Sequence, residues 1–214
     1  MSTQKVLNLN FQGRGACPGW PQGEAFPWRG CYHWFTKEYL ESGWNDGFYD
    51  FEVFKYDWLV VFIDLTEKKE TVIINNPEQL RNFYESHNGT IWAGYNSRNY
   101  DQYILKGILC GFNPKDVNDW IIVEDKPGYR FSSLFRNFPV INYDVMPNPP
   151  ISLKTLEAFM GHSIKETSIP FNIDRPLTEE ELRETVKYCR HDVEETVEVW
   201  LRRKEDEFDA QMSL

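Results

Sequence analysis

Five side chains in three separate stretches of the sequence have types and spacings suited to metal-assisted chemistry. Asp50 and Glu52 lie two residues apart in an alternating, aromatic-rich stretch, so a strand there points both carboxylates to one face. Asp101 follows a short apolar stretch and begins a helical pattern. Asp192 comes four residues after Tyr188, a spacing that places the phenol and the carboxylate on one helix face.

Each stretch also has an ordinary explanation when it is taken alone. A strand Asp-x-Glu pair is usually solvated, and an Asp at a helix N-terminus is favoured by the helix dipole. Asp192 lies in a helix rich in glutamates, which we expect to be exposed: Glu179, Glu180, Glu181, Glu184, Glu194, Glu195 and Glu198.

The combination of the three stretches favours a metal centre. Four carboxylates on three core elements repel one another unless cations neutralise them. Mg²⁺ prefers oxygen ligands of this kind, and two such ions can activate a water and stabilise a leaving oxygen in phosphodiester cleavage. In that chemistry the Tyr188 hydroxyl would position the attacking water.

The apolar pattern predicts an α/β fold that brings these stretches together. Strands are predicted over 48–54, 58–65 and 71–74, in hairpin connection, and helices then alternate with short strands. A capping box of Thr178 and Glu181 begins a long last helix. This order favours a mixed sheet, three antiparallel strands followed by parallel strands, flanked by helices. The elements in between are a helix beginning at Pro77, a strand over 90–93, a helix over 98–110, extended segments over 120–123 and 140–143, and a helix over 152–160.

Residues 1–46 differ in composition from the rest of the chain. Their glycines and prolines occur at a density that breaks helices and strands, and four tryptophans lie among them. We interpret this stretch as a leader or an artificial extension without catalysis, or as an aromatic arm that packs on the domain or grips a partner. Residues 47–203 are assigned to one domain, and residues 204–214 to an acidic tail.

The charge and composition exclude several classes of protein. Hydrophobic residues make up 41% of the 214, which argues against wholesale disorder. A net charge of −10 argues against a protein that coats DNA through a basic surface. The same charge permits an enzyme that meets phosphates through carboxylate-held metal ions.

Cysteine spacing and hydropathy set expectations for the compartment. The four cysteines form no CxxC pair and the histidines lie at unrelated spacings, so the sequence predicts reduced thiols and no zinc site. No apolar run reaches the ~18–20 residues of a membrane span, and no signal-peptide core begins the chain. We expect a cytoplasmic protein without a membrane partner.

Three motifs in order resemble those of a known family. They are similar to the exonuclease motifs of the tyrosine subtype of the DEDD superfamily, 3′→5′ exonucleases with a ribonuclease-H-like fold, and most to the proofreading domain of phage family B DNA polymerases. The resemblance covers about residues 47–203 and includes the segment Phe171–Leu177. The motifs are Asp50-x-Glu52, Asn96-x-x-x-Tyr100-Asp101 and Tyr188-x-x-x-Asp192, with Ser152-Leu153-Lys154-Thr155-Leu156 between the second and third.

The resemblance implies a role for each matching residue. Tyr188 would orient the attacking water, while His191 is interpreted as an ordinary helix residue because Tyr188 fills the motif position. Lys154 is equally well explained as an exposed helix lysine. Two Mg²⁺ or Mn²⁺ ions would be held by Asp50, Glu52, Asp101 and Asp192. A frayed single strand would be bound by Asn96, Tyr100, Ser152, Leu153 and Lys154.

Two departures from the family pattern shape the expected function. Val53 stands where a Thr often follows the motif glutamate, and the chain has no room for polymerase palm, fingers or thumb. We therefore expect a stand-alone exonuclease or a part of a larger polymerase-like protein, in the cytoplasm of a bacterium or a phage-infected host. It would act on single-stranded 3′ ends of DNA and release nucleoside monophosphates, with a replication polymerase as a candidate partner. A non-catalytic nucleic-acid- or protein-binding module of the same fold and a 3′→5′ exoribonuclease remain open alternatives.

Overall fold

A five-stranded mixed sheet runs through the part of the chain that the structure describes. The computed structural model describes residues 46–164 and 167–203. The sheet order is β3-β2-β1-β4-β5; the first three strands pair antiparallel, whereas β1 with β4 and β4 with β5 pair parallel. The predicted α/β class and its change from antiparallel to parallel pairing are confirmed. The strands are β1 (Asp46–Val53), β2 (Trp58–Asp64), β3 (Lys69–Ile74), β4 (Ile91–Gly94) and β5 (Ile141–Asp144).

Five α-helices lie against this sheet in the described ranges, and several begin at the cap residues that the sequence predicts. Asn76 accepts a hydrogen bond from the Gln79 amide, and Glu181 and Thr178 bond each other's backbone N–H groups as the capping box requires. The helices are α1 (Pro77–Ser86), α2 (Asp101–Leu109), α3 (Pro114–Ile122), α4 (Leu153–Met160) and α5 (Glu179–Arg203); two short 3₁₀ turns, Gly128–Arg130 and Ser133–Asn137, follow α3.

The extended segment predicted over 120–123 is wrong, because residues up to Ile122 belong to α3 and Val123 caps its end. Asn113 accepts a hydrogen bond from the Lys115 amide and Pro114 opens the helix, a start signal that the sequence reading missed. Residues 120–123 form a short apolar run that resembles a strand. In the structure Ile122 and Val123 are exposed, and Val117 is the residue of α3 that is buried.

The assigned ends of the chain fall outside what the structure describes. The predicted leader over 1–46 lies outside the described residues except for Asp46, which begins β1, and the predicted tail over 204–214 lies outside them as well. Among the helices of the described ranges, none combines the length and apolar composition that a membrane crossing requires.

Alternation along β1 divides the apolar core into two layers. Phe48 packs with residues of α5 such as Val193 on one face of the sheet, whereas Tyr49 and Phe51 pack with Ile104 of α2 on the other. The adjacent strand β2 is buried along its whole length, as predicted for a central strand. Because the side chains of a strand alternate, the even-numbered carboxylates of β1 face α5.

We predict that this core layer fixes the strand that carries the carboxylates. Replacing Phe48, which is 0% exposed, with Ala should destabilise the fold by about 3–5 kcal/mol because it leaves a cavity against α5. The matched control, Phe159→Ala, removes a side chain that is 78% exposed and should change stability by less than about 0.5 kcal/mol. Urea unfolding of both variants measures the difference, and equal midpoints would contradict the layer assignment.

Candidate metal centre and active site

Strand β1 and helices α2 and α5 bring the five predicted catalytic residues to one place. Asp50 and Glu52 project from β1 toward α5, and Asp192 projects back from that helix. Asp101 is the first residue of α2, and its Oδ1 accepts a hydrogen bond from the Phe51 amide at 3.1 Å. That amide lies between the two carboxylate residues of β1, so the main chain fixes the third carboxylate beside them.

Burial and mutual repulsion change the acidity of this cluster. Burial raises the pKa of Asp50 well above its ordinary value, and the negative charges of Asp101, Glu52 and Asp192 raise it further. The pKa of Glu52 rises for the same reasons, partly offset by the Lys154 ammonium. Burial raises the pKa of Asp101 to about 7, although backbone N–H groups lower it. The cluster therefore favours bound protons or bound cations.

Tyr188 and Asp192 share one face of α5, as their spacing predicts. The Tyr188 hydroxyl lies close enough to the Asp192 carboxylate for the two groups to change each other's pKa. Burial raises the pKa of Tyr188, and the charges of Asp192 and Glu52 raise it further. The phenol therefore remains protonated near neutral pH and can act as a hydrogen-bond donor, not as a base.

Lys154 lies inside this site, so its interpretation as an ordinary exposed helix lysine is wrong. Its Nζ donates to Asp192 Oδ1 at 2.6 Å and to Glu157 Oε1 at 3.1 Å. The same ammonium lies 4.9 Å from the centroid of the Tyr188 ring, within cation–π range. Lys154 reaches this position because α4 packs against α5, which places the lysine between the two helices.

A carboxylate that the sequence reading missed shapes the loop between β4 and α2. Asp144, the last residue of β5, accepts hydrogen bonds from the Asn96 amide at 2.9 Å and the Arg98 amide at 3.1 Å. Asn96 has a left-handed backbone with φ of 58°, a conformation that this carboxylate supports. The available sequence signal was an Asp directly after a predicted strand.

The predicted strand-binding residues occupy the surroundings of the centre with different degrees of exposure. Tyr100 is half-buried and its hydroxyl donates to Asn118 Oδ1 at 2.7 Å. Ser152 is exposed, and its hydroxyl accepts from the Thr155 amide as the N-cap of α4. Leu153 packs partly against the core beneath α5. In the structure, Ser152 caps α4 and Leu153 packs against the core. That these two residues bind a nucleic-acid strand remains a prediction.

The expectation that these glutamates of the last helix are exposed is wrong for four of them: Glu181 and Glu194 are partly buried, and two others are buried. Glu195 and Glu198 are each 8% exposed. Glu195 lies 2.7 Å from His162 Nδ1, and Glu198 accepts from Arg202 Nε at 2.7 Å, so each buried carboxylate has a partner. Glutamates near the start of α5, including Glu179 and Glu184, are exposed as expected.

A buried thiol lies directly behind the β1 carboxylates. Cys189 Sγ lies 3.3 Å from the Asp50 carbonyl oxygen and 3.4 Å from Asp50 Oδ2, to which it donates. Ligand atoms of Asp50, Glu52 and Cys189 lie within 4.8 Å of one another. The oxygen donors of this set fit Mg²⁺ or Mn²⁺, while the protonated thiol contributes a hydrogen bond. The sequence predicts Cys189 only as a reduced thiol and does not indicate its contact with Asp50.

Known proteins give no independent guide to this site. Comparisons with models of protein families, with curated proteins and with solved structures found no match. A function is therefore inferred from the geometry and charges described above.

We predict that the carboxylate cluster lowers the stability of the metal-free fold and that a bound cation restores it. The pKa of Asp101, about 7 against an ordinary 3.8, means that the folded state holds a proton which the unfolded state releases. Stability without metal should therefore fall as the pH rises from about 4 through 7, and Mn²⁺ at pH 8 should restore it. Thermal melts with EDTA and with Mn²⁺ measure this shift.

The variant Asp50→Asn provides a second measure of the same repulsion. Removing one charge should raise the metal-free Tm at pH 8 by about 4 °C or more, since one kcal/mol shifts the Tm of such a domain by about 2–4 °C. The increase in Tm on adding Mn²⁺ should be lost. Glu85→Gln, at an exposed position on α1, is the control and should alter neither quantity. An unchanged Mn²⁺ response in Asp50→Asn would contradict the metal centre.

Proposed function

We propose that the protein is a metal-dependent 3′→5′ exonuclease of the tyrosine subtype of the DEDD superfamily, with a ribonuclease-H-like fold. The observation that carries the proposal is the convergence of four carboxylates from β1, α2 and α5, with the Tyr188 phenol beside Asp192. The strand order β3-β2-β1-β4-β5, with its antiparallel and parallel pairs, is compatible with that fold.

The donor set supports a two-metal hydrolysis of phosphodiester bonds. Asp50, Glu52, Asp101 and Asp192 would hold two Mg²⁺ or Mn²⁺ ions, which supply an activated water and stabilise the leaving oxygen. Tyr188, kept protonated by its surroundings, would donate a hydrogen bond that orients this water. The water oxygen would bond to phosphorus as it loses a proton, and the bond from phosphorus to the 3′ oxygen of the preceding nucleotide would break. That oxygen would take up a proton, and a nucleoside monophosphate would leave.

A single-stranded 3′ end is the substrate that the surroundings of the centre favour, and the choice of DNA follows from the family resemblance. The Asn96 loop and the Tyr100 ring lie beside Asp101, where amide hydrogen bonds and aromatic stacking suit unpaired bases. Lys154 places a positive charge at the centre, where the scissile phosphate would lie. A replication polymerase, or the remainder of a larger polymerase chain, is the partner proposed for a proofreading role.

We predict a ladder of products that shortens from the 3′ end. A 5′-labelled single-stranded oligonucleotide with Mg²⁺ or Mn²⁺ should give this ladder, and EDTA should abolish it. Asp50→Ala and Asp192→Ala should lower the rate by about 100-fold or more, because each removes a metal ligand. Tyr188→Phe should retain more activity, since it removes one hydrogen bond and no ligand.

Glu85→Gln serves as the control for the nuclease assay, because its exposed side chain lies on α1, away from the carboxylates. Full activity in Asp192→Ala would overturn the assignment. A wild-type protein that binds Mn²⁺ and a dinucleotide in calorimetry, yet cleaves nothing, would support the non-catalytic binding module instead.

We further predict that Tyr100 contributes to strand binding. Replacing it with Ala should raise the KM for single-stranded DNA by about 5- to 100-fold, because one aromatic–base stack is worth about 1–3 kcal/mol. Tyr100→Phe should keep KM near the wild-type value, since the hydroxyl is occupied by Asn118 and the ring remains. Steady-state kinetics on single-stranded DNA, duplex DNA and RNA measure this effect and the substrate preference; equal KM in both variants would exclude stacking.

A further inference from the structure

A second group of polar side chains lies between α4 and α5, behind Asp192. It consists of Glu157 from α4, His162 just after that helix, and His191 and Glu195 from α5. Glu157 and His191 are 0% and 7% exposed. The exonuclease proposal assigns no role to any of these four residues.

Glu157 has one oxygen bonded and one oxygen that the described residues leave without a hydrogen bond. Oε1 accepts from Lys154, whereas Oε2 is buried and makes no hydrogen bond among the described residues. A buried carboxylate oxygen without a hydrogen bond is costly, and a ligand placed between it and the neighbouring imidazole would satisfy it. Oε2 faces His191 Nε2 at 3.5 Å.

This separation matches two atoms bonded to the same metal ion. Ligand bonds of about 2.0–2.2 Å place neighbouring ligand atoms about 3–3.5 Å apart. A ligand atom of Asp192 lies within 4.8 Å of those of Glu157 and His191, which completes a set of three.

The other side of the imidazole ring has the partner that metal-bound histidines use. His191 Nδ1 faces Glu195 Oε1 at 3.8 Å, and Glu195 Oε2 lies 2.7 Å from His162 Nδ1. A carboxylate behind the ring orients a histidine ligand and raises its basicity. Glu195, on the Nδ1 side of the His191 ring, can orient the ring so that its Nε2 faces Glu157.

The charge balance also favours a cation. Three carboxylates lie here, those of Glu157, Asp192 and Glu195. Within the described part of the chain, these three carboxylates contact the Lys154 ammonium and the imidazole rings of two histidines, which are charged only when protonated. A divalent ion would offset the remaining negative charge. The imidazole nitrogen selects first-row transition ions over Mg²⁺, which prefers oxygen.

We propose that Glu157, His191 and Asp192 form a second metal site, for a first-row transition ion such as Mn²⁺, Zn²⁺ or Co²⁺. The site goes beyond the exonuclease proposal and shares Asp192 with it. An ion there fixes the Asp192 side chain from behind, so the occupancy of this site sets the geometry of the four-carboxylate centre. No metal-binding spacing is visible in the sequence because the ligands come from two helices, and Glu157 and His191 are 34 positions apart.

Co²⁺ is the probe for this site, since a bound imidazole shows a paramagnetically shifted ring N–H proton in NMR spectra. The wild-type chain with Co²⁺ should show this proton, and His191→Gln should lose it together with one equivalent of bound Co²⁺ in calorimetry. Glu157→Gln, which keeps side-chain size, should weaken that equivalent by about 10-fold or more. His87→Gln, on α1's end and packed against Phe62 and Phe83, is the matched control and should leave the Co²⁺ signals unchanged.

The outcomes separate this site from the exonuclease proposal. A shifted proton that persists in His191→Gln, or its absence in the wild-type spectrum, overturns the second site. If His191→Gln fails to fold by circular dichroism, the Glu157→Gln titration decides, and unchanged Co²⁺ affinity there overturns the site as well. A wild-type chain that binds Co²⁺ through His191 but cleaves no DNA with Mg²⁺ would retain this site and contradict the exonuclease.

Discussion

Repulsion among four buried carboxylates is the constraint on which the rest of this structure depends. Strand β1 and the first residue of α2 hold three of them close together, and the fourth comes from α5. Such a cluster opposes folding unless protons or cations occupy it, so the burial of apolar side chains around it has to offset the repulsion. The two apolar layers on either side of β1 provide that burial.

The positive charges near the centre are as informative as the negative ones. Lys154 contacts both Asp192 and the fully buried Glu157, so the site contains its own counter-charge before any ion binds. One ammonium leaves most of this negative charge unbalanced, and the divalent cations proposed for the centre would offset it. Surface charge elsewhere on the acidic chain has little bearing on this local balance, because salt screens it over about 8–10 Å.

Local sequence rules predicted much of the fold and the main residues of the site. The alternation around Asp50 and Glu52, the i, i+4 pair of Tyr188 and Asp192, and the capping box were all readable because they depend on neighbours in sequence. Contacts between distant elements were not readable. Asp144, Glu157 and Cys189 acquire their roles from helices and strands that meet only in three dimensions. The same limit hid the burial of Glu195, whose partner His162 lies 33 residues away.

The hydrogen bond from the Phe51 amide to Asp101 makes one part of the centre tolerant of substitution. Because the donor is a main-chain group, the identity of the side chains around it has little influence on this contact. Core residues of β1, β2 and α2 can therefore be exchanged for others of similar volume while Asp101 keeps its place beside β1.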